Sequence, residues 1–123
     1  MIKQRSNIIE QDWICTWFVM NNKIDSSSIL NEHLAAHVAE LFRAFSDTSR
    51  VRIVSALLTG EMNINALAEV VGISESAVSH HMRGLRQMQL VTSRRDGKEV
   101  YYRIDDGHII ELFQQGVKHV QNG

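Results

Sequence analysis

The stretch from Ile64 to Gln89 constrains the fold of this 123-residue chain most strongly, because it has the pattern of two short helices joined by a tight turn. Apolar residues recur at helical spacing as far as Val71, and Gly72 interrupts them where a left-handed residue is needed. Ser74 can then cap a second helix. This order predicts a helix-turn-helix.

The second helix of the motif has an apolar face and a polar face. Its apolar residues fall at i, i+4, i+7 and i+10 and should be buried: Val78, Met82, Leu85 and Met88. The opposite face carries hydroxyls, an imidazole and a guanidinium: Ser76, Ser79, His80 and Arg83. Such groups bind base edges and phosphates when a recognition helix lies against DNA. A solvated face on an ordinary helical bundle has the same appearance, so the motif alone leaves both interpretations open.

Two segments rich in Val, Thr and Tyr follow the motif, from Leu90 to Arg95 and from Lys98 to Ile104, and they predict a pair of strands. Asp96-Gly97, between them, is a favoured pair for a tight hairpin turn. A hairpin directly after a recognition helix predicts a wing. From His80 to Arg103 there are six Arg or Lys and two acids, a formal +4 in a chain of net −1. This local excess of positive charge favours double-stranded DNA as the partner.

Length and composition favour one compact domain in the cytoplasm. With 123 residues and 44% hydrophobic content, the chain can form one core and should share apolar surface with a partner. No apolar run is long enough to cross a bilayer, and the N-terminus lacks the order of a signal peptide, so no membrane partner is expected. The single cysteine, Cys15, excludes an intrachain disulfide and fits a reducing compartment.

Residues 1–28 are predicted to be an N-terminal arm of uncertain structure, and residues 29–121 to be the helical domain. Residues 29–45 should form the first long helix and residues 47–58 the second. His33 and His37 lie one turn apart on the first helix, a spacing that can hold a metal ion. Two histidines on a surface helix are more often bystanders than ligands, and we interpret them as such.

The last helix, predicted from Asp105 to Gln121, carries an apolar stripe that it can bury only against another helix. The stripe consists of Ile109, Leu112, Phe113, Gly116, Val117 and Val120. Gly116 lowers the helix propensity by about 1 kcal/mol, which a close approach of two backbones would explain. The helix therefore predicts a homodimer interface, and a symmetric dimer is also what a protein that binds palindromic half-sites needs.

Asp106, His108 and His119 flank this stripe and form a candidate metal site. His108 and His119 are separated by roughly 16 Å along one helix, so a single helix cannot bring both to one ion. An antiparallel partner helix can, because it places its end beside the start of the first. Imidazole and carboxylate ligands without sulfur suit zinc, and also cobalt or nickel. Alternatively, the histidines are ordinary polar residues at two helix ends, with His119 favoured there by the helix dipole.

The order of these elements resembles the ArsR/SmtB family of winged-helix, metal-sensing repressors. The resemblance covers about residues 34–121 and is carried by the blocks SESAVSHHMRGLR, RRDGKEVYYRI and DDGHIIELFQQGVKHV. It implies a homodimer that binds operator DNA without metal and releases it when metal binds. It further implies a recognition helix from Ser74 to Gln89 and wing contacts to DNA at Arg94, Arg95 and Lys98.

The same resemblance distinguishes two kinds of sensing site. The thiolate site of the family corresponds here to Asn63 and Asn65, so sensing of arsenite, cadmium or lead through it is not expected. The other site of the family lies on the last helix, and Asp106, His108 and His119 of this chain match three of its ligands. Asn122 stands where the family has the fourth ligand. Thr48 also departs from the family's usual proline, at little cost because Thr is acceptable in a first helical turn.

Two functions remain open from the sequence. The leading hypothesis is a DNA-binding repressor released by zinc or a similar ion. The alternative is a winged-helix regulator of the same fold that senses no metal and uses its last helix only for dimerisation. An enzyme is not expected, because no nucleophile, base and orienting group come together in any stretch.

Overall fold

The structure is a computed structural model that describes residues 28–123. The predicted N-terminal arm, with Cys15, lies outside the described residues except for Ser28. The elements in chain order are α1 (Glu32–Ala44), α2 (Thr48–Leu57), β1 (Met62–Asn63), α3 (Ile64–Val71), α4 (Glu75–Gln87), β2 (Thr92–Asp96), β3 (Glu99–Arg103) and α5 (Gly107–Asn122). The predicted winged helix-turn-helix, mainly helical with a small sheet, is confirmed.

Each described helix begins with a side chain that accepts a hydrogen bond from an N–H of the first turn. The five capping residues are Asn31, Asp47, Asn63, Ser74 and Asp106. These caps satisfy donors that have no partner within the helix. They also explain why α1 begins at residue 32 and α5 at residue 107, rather than at residues 29 and 105 as the apolar patterns predict.

The turn between the two helices of the motif forms as the sequence predicts. Gly72 has φ +80°, and its N–H donates to the Ala68 carbonyl. This left-handed residue ends α3 and turns the chain so that Ser74 can cap α4. Arg52, on α2, donates from Nη1 to the Val71 carbonyl at 2.8 Å, which fixes the end of α3 against α2. The first helix of the motif is therefore held at both ends.

The wing contains one more strand than the sequence predicts. β1 pairs with β3, which pairs with β2, and both pairings are antiparallel. The hairpin turn is also shifted by one residue from the predicted Asp96-Gly97. Asp96 pairs with Glu99, so the turn consists of Gly97 and Lys98, with Gly97 at φ +64°. A glycine with positive φ at the first central position is typical of a type II′ turn, which sets this register.

The first predicted strand also begins two residues late, because Leu90 and Val91 belong to the core. Gln89 adopts φ +59°, and the Leu90 N–H donates to the Leu85 carbonyl at 2.9 Å. This is the hydrogen-bond pattern of a Schellman end to α4. The chain therefore turns sharply after the recognition helix and places both apolar side chains inside before the sheet begins.

The core lies between α2, α3 and α4. Its most buried side chains are Ile53, Val54, Leu67, Val78, Met82 and Leu85. Val78, Met82 and Leu85 are three of the four residues predicted to be buried on the recognition helix, while Met88 is half-buried. Burial of such side chains provides the main driving force for folding of this unit.

The terminal helices, α1 and α5, contact this core through only part of their apolar surface. Ile109 is buried, and Phe113 lies with its ring centroid 6.3 Å from that of Phe45. Six other large apolar side chains are exposed in one chain: Ile29, Leu30, Leu34 and Phe42 at the N-terminal side, and Val117 and Val120 at the C-terminal side. Within residues 28–123, no helix is long and apolar enough to cross a membrane.

Candidate nucleic-acid interface and metal-ligand set

The recognition helix α4 presents the predicted polar face to solvent. Ser76, His80 and Arg83 are exposed, and Ser79 is half-buried beside them. Ser74 is exposed at the start of the helix, where its Oγ accepts the Ala77 N–H at 3.0 Å. The Ser74 hydroxyl therefore serves the helix start first, and the other four side chains form the surface of α4 that is available to DNA.

The wing adds cations to this surface. Arg95 and Lys98 are exposed on β2 and at the hairpin turn, and within residues 28–123 neither forms an ion pair. The same is true of Arg83 on α4. Guanidinium and ammonium groups without an internal partner can neutralise phosphates and release counterions. Arg83, Arg95 and Lys98 are therefore the predicted contacts that the structure leaves free for this role.

Arg94 is held differently from its neighbour Arg95. Its Nη2 lies 2.6 Å from Glu61 Oε1, its Nε lies 2.9 Å from Glu61 Oε2, and its guanidinium carbon lies 4.8 Å from the centre of the Tyr101 ring. This hydrogen bonding lowers the pKa of Glu61 and raises the pKa of Arg94. Arg94 thus joins β2 to the start of β1, a role that the sequence did not indicate.

A cleft between the start of α2 and the recognition helix is a second feature that sequence patterns did not reveal. It is lined by Asp47, Arg50, His80, His81, Arg83, Gly84 and Gln87. Asp47 Oδ1 accepts the Arg50 N–H at 3.0 Å and lies 4.0 Å from His81 Nε2. The hydrogen bond from the Arg50 backbone is the main reason why the pKa of Asp47 is lowered. Asp47 and His81, 34 positions apart, meet here, so no local pattern could signal the cleft.

The proposed metal ligands at the start of α5 lie side by side. Asp106 Oδ1 accepts the His108 N–H at 2.9 Å and lies 3.3 Å from His108 Nδ1. The His108 side chain is 99% exposed. A carboxylate and an imidazole in contact at an open surface match the ligand chemistry of zinc, cobalt or nickel.

His119 lies in the last turn of the same helix, and both it and Asn122 are exposed. At about 1.5 Å per residue, the eleven residues from His108 to His119 span roughly 16 Å of α5, so this helix alone does not bring the two imidazoles to one ion. Within residues 28–123 of one chain, no three His, Cys, Asp or Glu side chains come together as a metal site. The donor types fit a metal ion, and the described residues of one chain bring two of the three predicted ligands, Asp106 and His108, together.

The other histidine pair is close together, but no third metal ligand lies beside it in the described part of the chain. The rings of His33 and His37 have centroids 4.5 Å apart and are nearly perpendicular. Both side chains are exposed on α1. An edge-to-face contact of this kind is an ordinary interaction of aromatic rings one helical turn apart.

Comparisons with known proteins agree with this architecture. A family described as "Bacterial regulatory protein, arsR family" matches residues 47–93. The chain is 44% identical over 87 residues to a "Transcriptional repressor SmtB homolog" from Synechocystis sp., a match that covers 71% of this chain and 66% of that protein. It is 34% identical over 96 residues to the "HTH-type transcriptional regulator NmtR" from Mycobacterium tuberculosis, covering 78% of this chain and 80% of that protein.

A solved structure supports the same assignment. The winged helix-turn-helix domain of a possible ArsR-family regulator from Mycobacterium bovis, described as homodimeric, aligns with a TM-score of 0.66 at 28% identity. The alignment covers 82% of this chain and 89% of that domain. The family match spans the helix-turn-helix, and the relatives of 44% and 34% identity each cover more than two thirds of this chain. The chain therefore belongs to the ArsR/SmtB family of DNA-binding transcriptional regulators, which are not enzymes.

Proposed function

We propose that this protein is a homodimeric repressor that binds double-stranded operator DNA and releases it when a metal ion, with zinc as the first candidate, binds between the two subunits. The observation that carries the DNA-binding part is the exposed face of α4, which continues into a wing with unpaired cations. Ser76, Ser79 and His80 would contact base edges, and Arg83, Arg95 and Lys98 would contact phosphates.

The homodimer is supported by the exposed apolar side chains of α1 and α5. Phe42 is 53% exposed and Val120 is 79% exposed in a single chain. Large apolar side chains on two neighbouring terminal helices are typical of a surface that a second copy covers. The related domain from Mycobacterium bovis is described as homodimeric.

The metal response is supported by the donors at the two ends of α5. Asp106 and His108 of one subunit and His119 of the partner subunit would hold the ion, and zinc would accept them in a four-coordinate arrangement. The fourth ligand would be water, the Asn122 amide oxygen or another acid. Asp106 already accepts the His108 N–H through Oδ1, so Oδ2 is the oxygen left for the ion.

Asn122 also supports the alternative, in which the regulator senses no metal and no cofactor is bound. An amide is a weaker ligand than the imidazole or carboxylate that the family resemblance implies at this place. Under this alternative, α5 serves only for dimerisation and the operator affinity is independent of zinc, cobalt and nickel.

A metal titration of operator binding tests the proposal. We expect zinc to weaken operator binding by the wild-type protein on the order of a hundredfold, a coupling of about 3 kcal/mol. His119→Ala should bind the operator normally without metal and should lose the zinc response. His33→Ala is the matched control, because it removes one exposed imidazole elsewhere, and it should respond like the wild type. If zinc still releases a His108→Ala, His119→Ala protein from the operator, this ligand set is wrong. If the wild-type protein shows no saturable zinc site, the alternative is favoured.

A further inference from the structure

We propose that the cleft between the start of α2 and the recognition helix binds a backbone phosphate of the operator, with Arg50 and Arg83 as its cationic walls. This inference rests on the proposed DNA-binding function and adds to it a site on α2, outside the helix-turn-helix and the wing. Its partner is a phosphodiester group, which both walls can recognise irrespective of base sequence.

The charges around the cleft favour an anion. Arg50 and Arg83 each carry a full positive charge, and His80 and His81 add two imidazoles that can donate hydrogen bonds. Asp47 is the single carboxylate in the lining. Its Oδ1 is already engaged by the Arg50 backbone N–H, so its charge is partly satisfied by the start of α2. The two guanidinium groups therefore exceed the one carboxylate and leave room for one phosphate charge.

Arg50 has an unused donor. Its Nε is buried and has no hydrogen-bond partner among residues 28–123, although the side chain is part of the cleft lining. Nearly all buried polar groups in folded proteins have partners, and an unmade bond of a charged donor is unfavourable. No carboxylate of the described residues forms an ion pair with this guanidinium. An acceptor that arrives with the ligand would explain why the arginine is left in this state.

Gly84 is part of the cleft lining and leaves it without a side chain at this position. It lies inside α4, where glycine is unfavourable for the helix, and a Cβ added there would meet no heavy atom within 4 Å. Packing inside the chain therefore gives no reason for a glycine at this position. A missing side chain does allow a ligand to approach the helix backbone between Arg83 and Gln87.

The cleft lies at the edge of the surface proposed to face DNA, because His80 and Arg83 belong to both. When a recognition helix lies in the major groove, the phosphates of the flanking strand pass along its sides. A phosphate held between α2 and α4 would therefore fix the depth and angle of the recognition helix. Such a contact affects all sequences equally, whereas Ser79 and His80 would affect the choice of sequence.

The test compares Arg50→Gln with Arg43→Gln in the full chain, measuring operator affinity over a series of salt concentrations. Arg43 is an exposed arginine of α1 that does not line the cleft, so Arg43→Gln removes the same charge outside it. We expect Arg50→Gln to reduce the slope of log affinity against log salt by about 1.8, about 0.9 for each subunit of the dimer, and to weaken binding about tenfold at low salt. Arg43→Gln should leave the slope unchanged. Thermal unfolding of both variants shows that the comparison concerns folded protein.

A second variant, Gly84→Leu, fills the cleft without removing charge. Because leucine favours helix more than glycine does, this variant should unfold at a temperature no lower than the wild type, yet bind the operator more weakly. Wild-type affinity and slope in both Arg50→Gln and Gly84→Leu would overturn the inference while leaving the proposed function intact. Failure of the wild type to bind any duplex would instead overturn the proposed function.

Titration with inorganic phosphate distinguishes the two sources of the phosphate group. Saturable phosphate binding that Arg50→Gln abolishes, combined with an unchanged DNA salt slope in that variant, would assign the cleft to a small phosphorylated molecule and overturn the operator assignment. Weak phosphate binding that competes with DNA, together with the reduced slope, would support the operator assignment.

Discussion

The body of the molecule, formed by α2, α3 and α4, differs from the terminal helices α1 and α5 in how completely its apolar side chains are buried within one chain. In the body, Ile53, Leu67 and Leu85 are fully buried between α2, α3 and α4. In the terminal helices, Leu34 of α1 remains 47% exposed and Val120 of α5 remains 79% exposed. The body is therefore a folding unit within one chain, whereas the surface formed by α1 and α5 is complete only when something covers it.

The sharpest test of this contrast is a cavity in the body. Leu85→Ala should lower the free energy of unfolding by about 2–5 kcal/mol, because it removes a fully buried side chain from a closely packed core. Val70→Ala is the control, since Val70 is 57% exposed and its truncation should change stability by less than about 0.5 kcal/mol. Urea unfolding measures both. Equal losses would show that burial of a side chain does not determine how much it stabilises the body.

Charges placed on the terminal helices should have the opposite effect, because they should break assembly and spare the fold. Phe42→Asp and Val117→Asp change side chains that are exposed in the single chain, so the monomer should keep its helical content. The dimer should dissociate, and operator affinity should fall on the order of a hundredfold because two linked half-site contacts become independent. Sedimentation and fluorescence anisotropy measure the two effects.

Phe113 is a poorer site for this test than the sequence pattern suggests. Its ring contacts Phe45 of the same chain, so Phe113→Asp would disturb the chain's own packing as well as any interface. If Phe42→Asp and Val117→Asp sediment as intact dimers, the assignment of the exposed surface to a second copy is wrong.

The contrast also explains what the sequence could predict. The Ser74 cap, the turn at Gly72 and most of the buried side of α4 were predicted correctly because they depend on residues within a few positions of one another. The apolar stripe of α5 was predicted as well, but periodicity shows only that such side chains need a partner surface. It does not distinguish a surface of the same chain, which Ile109 has, from a surface of another chain.

The features that sequence reasoning missed are contacts between distant residues. β1 is a two-residue strand that exists through its pairing with β3, and no alternation can be recognised over such a length. Glu61 and Arg94 meet across 33 positions, and Asp47 and His81 of the α2–α4 cleft meet across 34. The predicted hairpin turn was wrong by one residue because Asp96-Gly97 and Gly97-Lys98 are both acceptable turn pairs. The strand register, which the sequence does not show, selects between them.

The two neighbouring arginines of the wing provide a comparison of smaller size. Arg95→Gln should reduce the salt slope of operator binding by about 1.8, about 0.9 for each subunit of the dimer, because its guanidinium has no ion-pair partner in the described part of the chain and is free to bind phosphate. Arg94→Gln should reduce the slope less, since Glu61 already neutralises that guanidinium. Anisotropy at several salt concentrations measures both slopes. A larger reduction for Arg94→Gln would show that DNA displaces Glu61 and recruits Arg94.

The smallest effect concerns the stability of the wing as a function of pH. The hydrogen bonds from Arg94 lower the pKa of Glu61 in the folded chain. A carboxyl group with a lowered folded pKa contributes stability above its unfolded pKa, and this contribution is lost as the pH falls through the folded pKa. The wild type should therefore be more stable than Glu61→Gln at about pH 7. The difference should shrink as the pH falls below the ordinary glutamate pKa of 4.5, and it should disappear below the lowered folded pKa. Both side chains are partly exposed, so the difference is best measured by thermal unfolding at low ionic strength.

Glu69→Gln, at an exposed acid of α3, should show no comparable difference. A difference that persists unchanged at low pH would mean that Glu61 holds the wing by packing rather than by its charge.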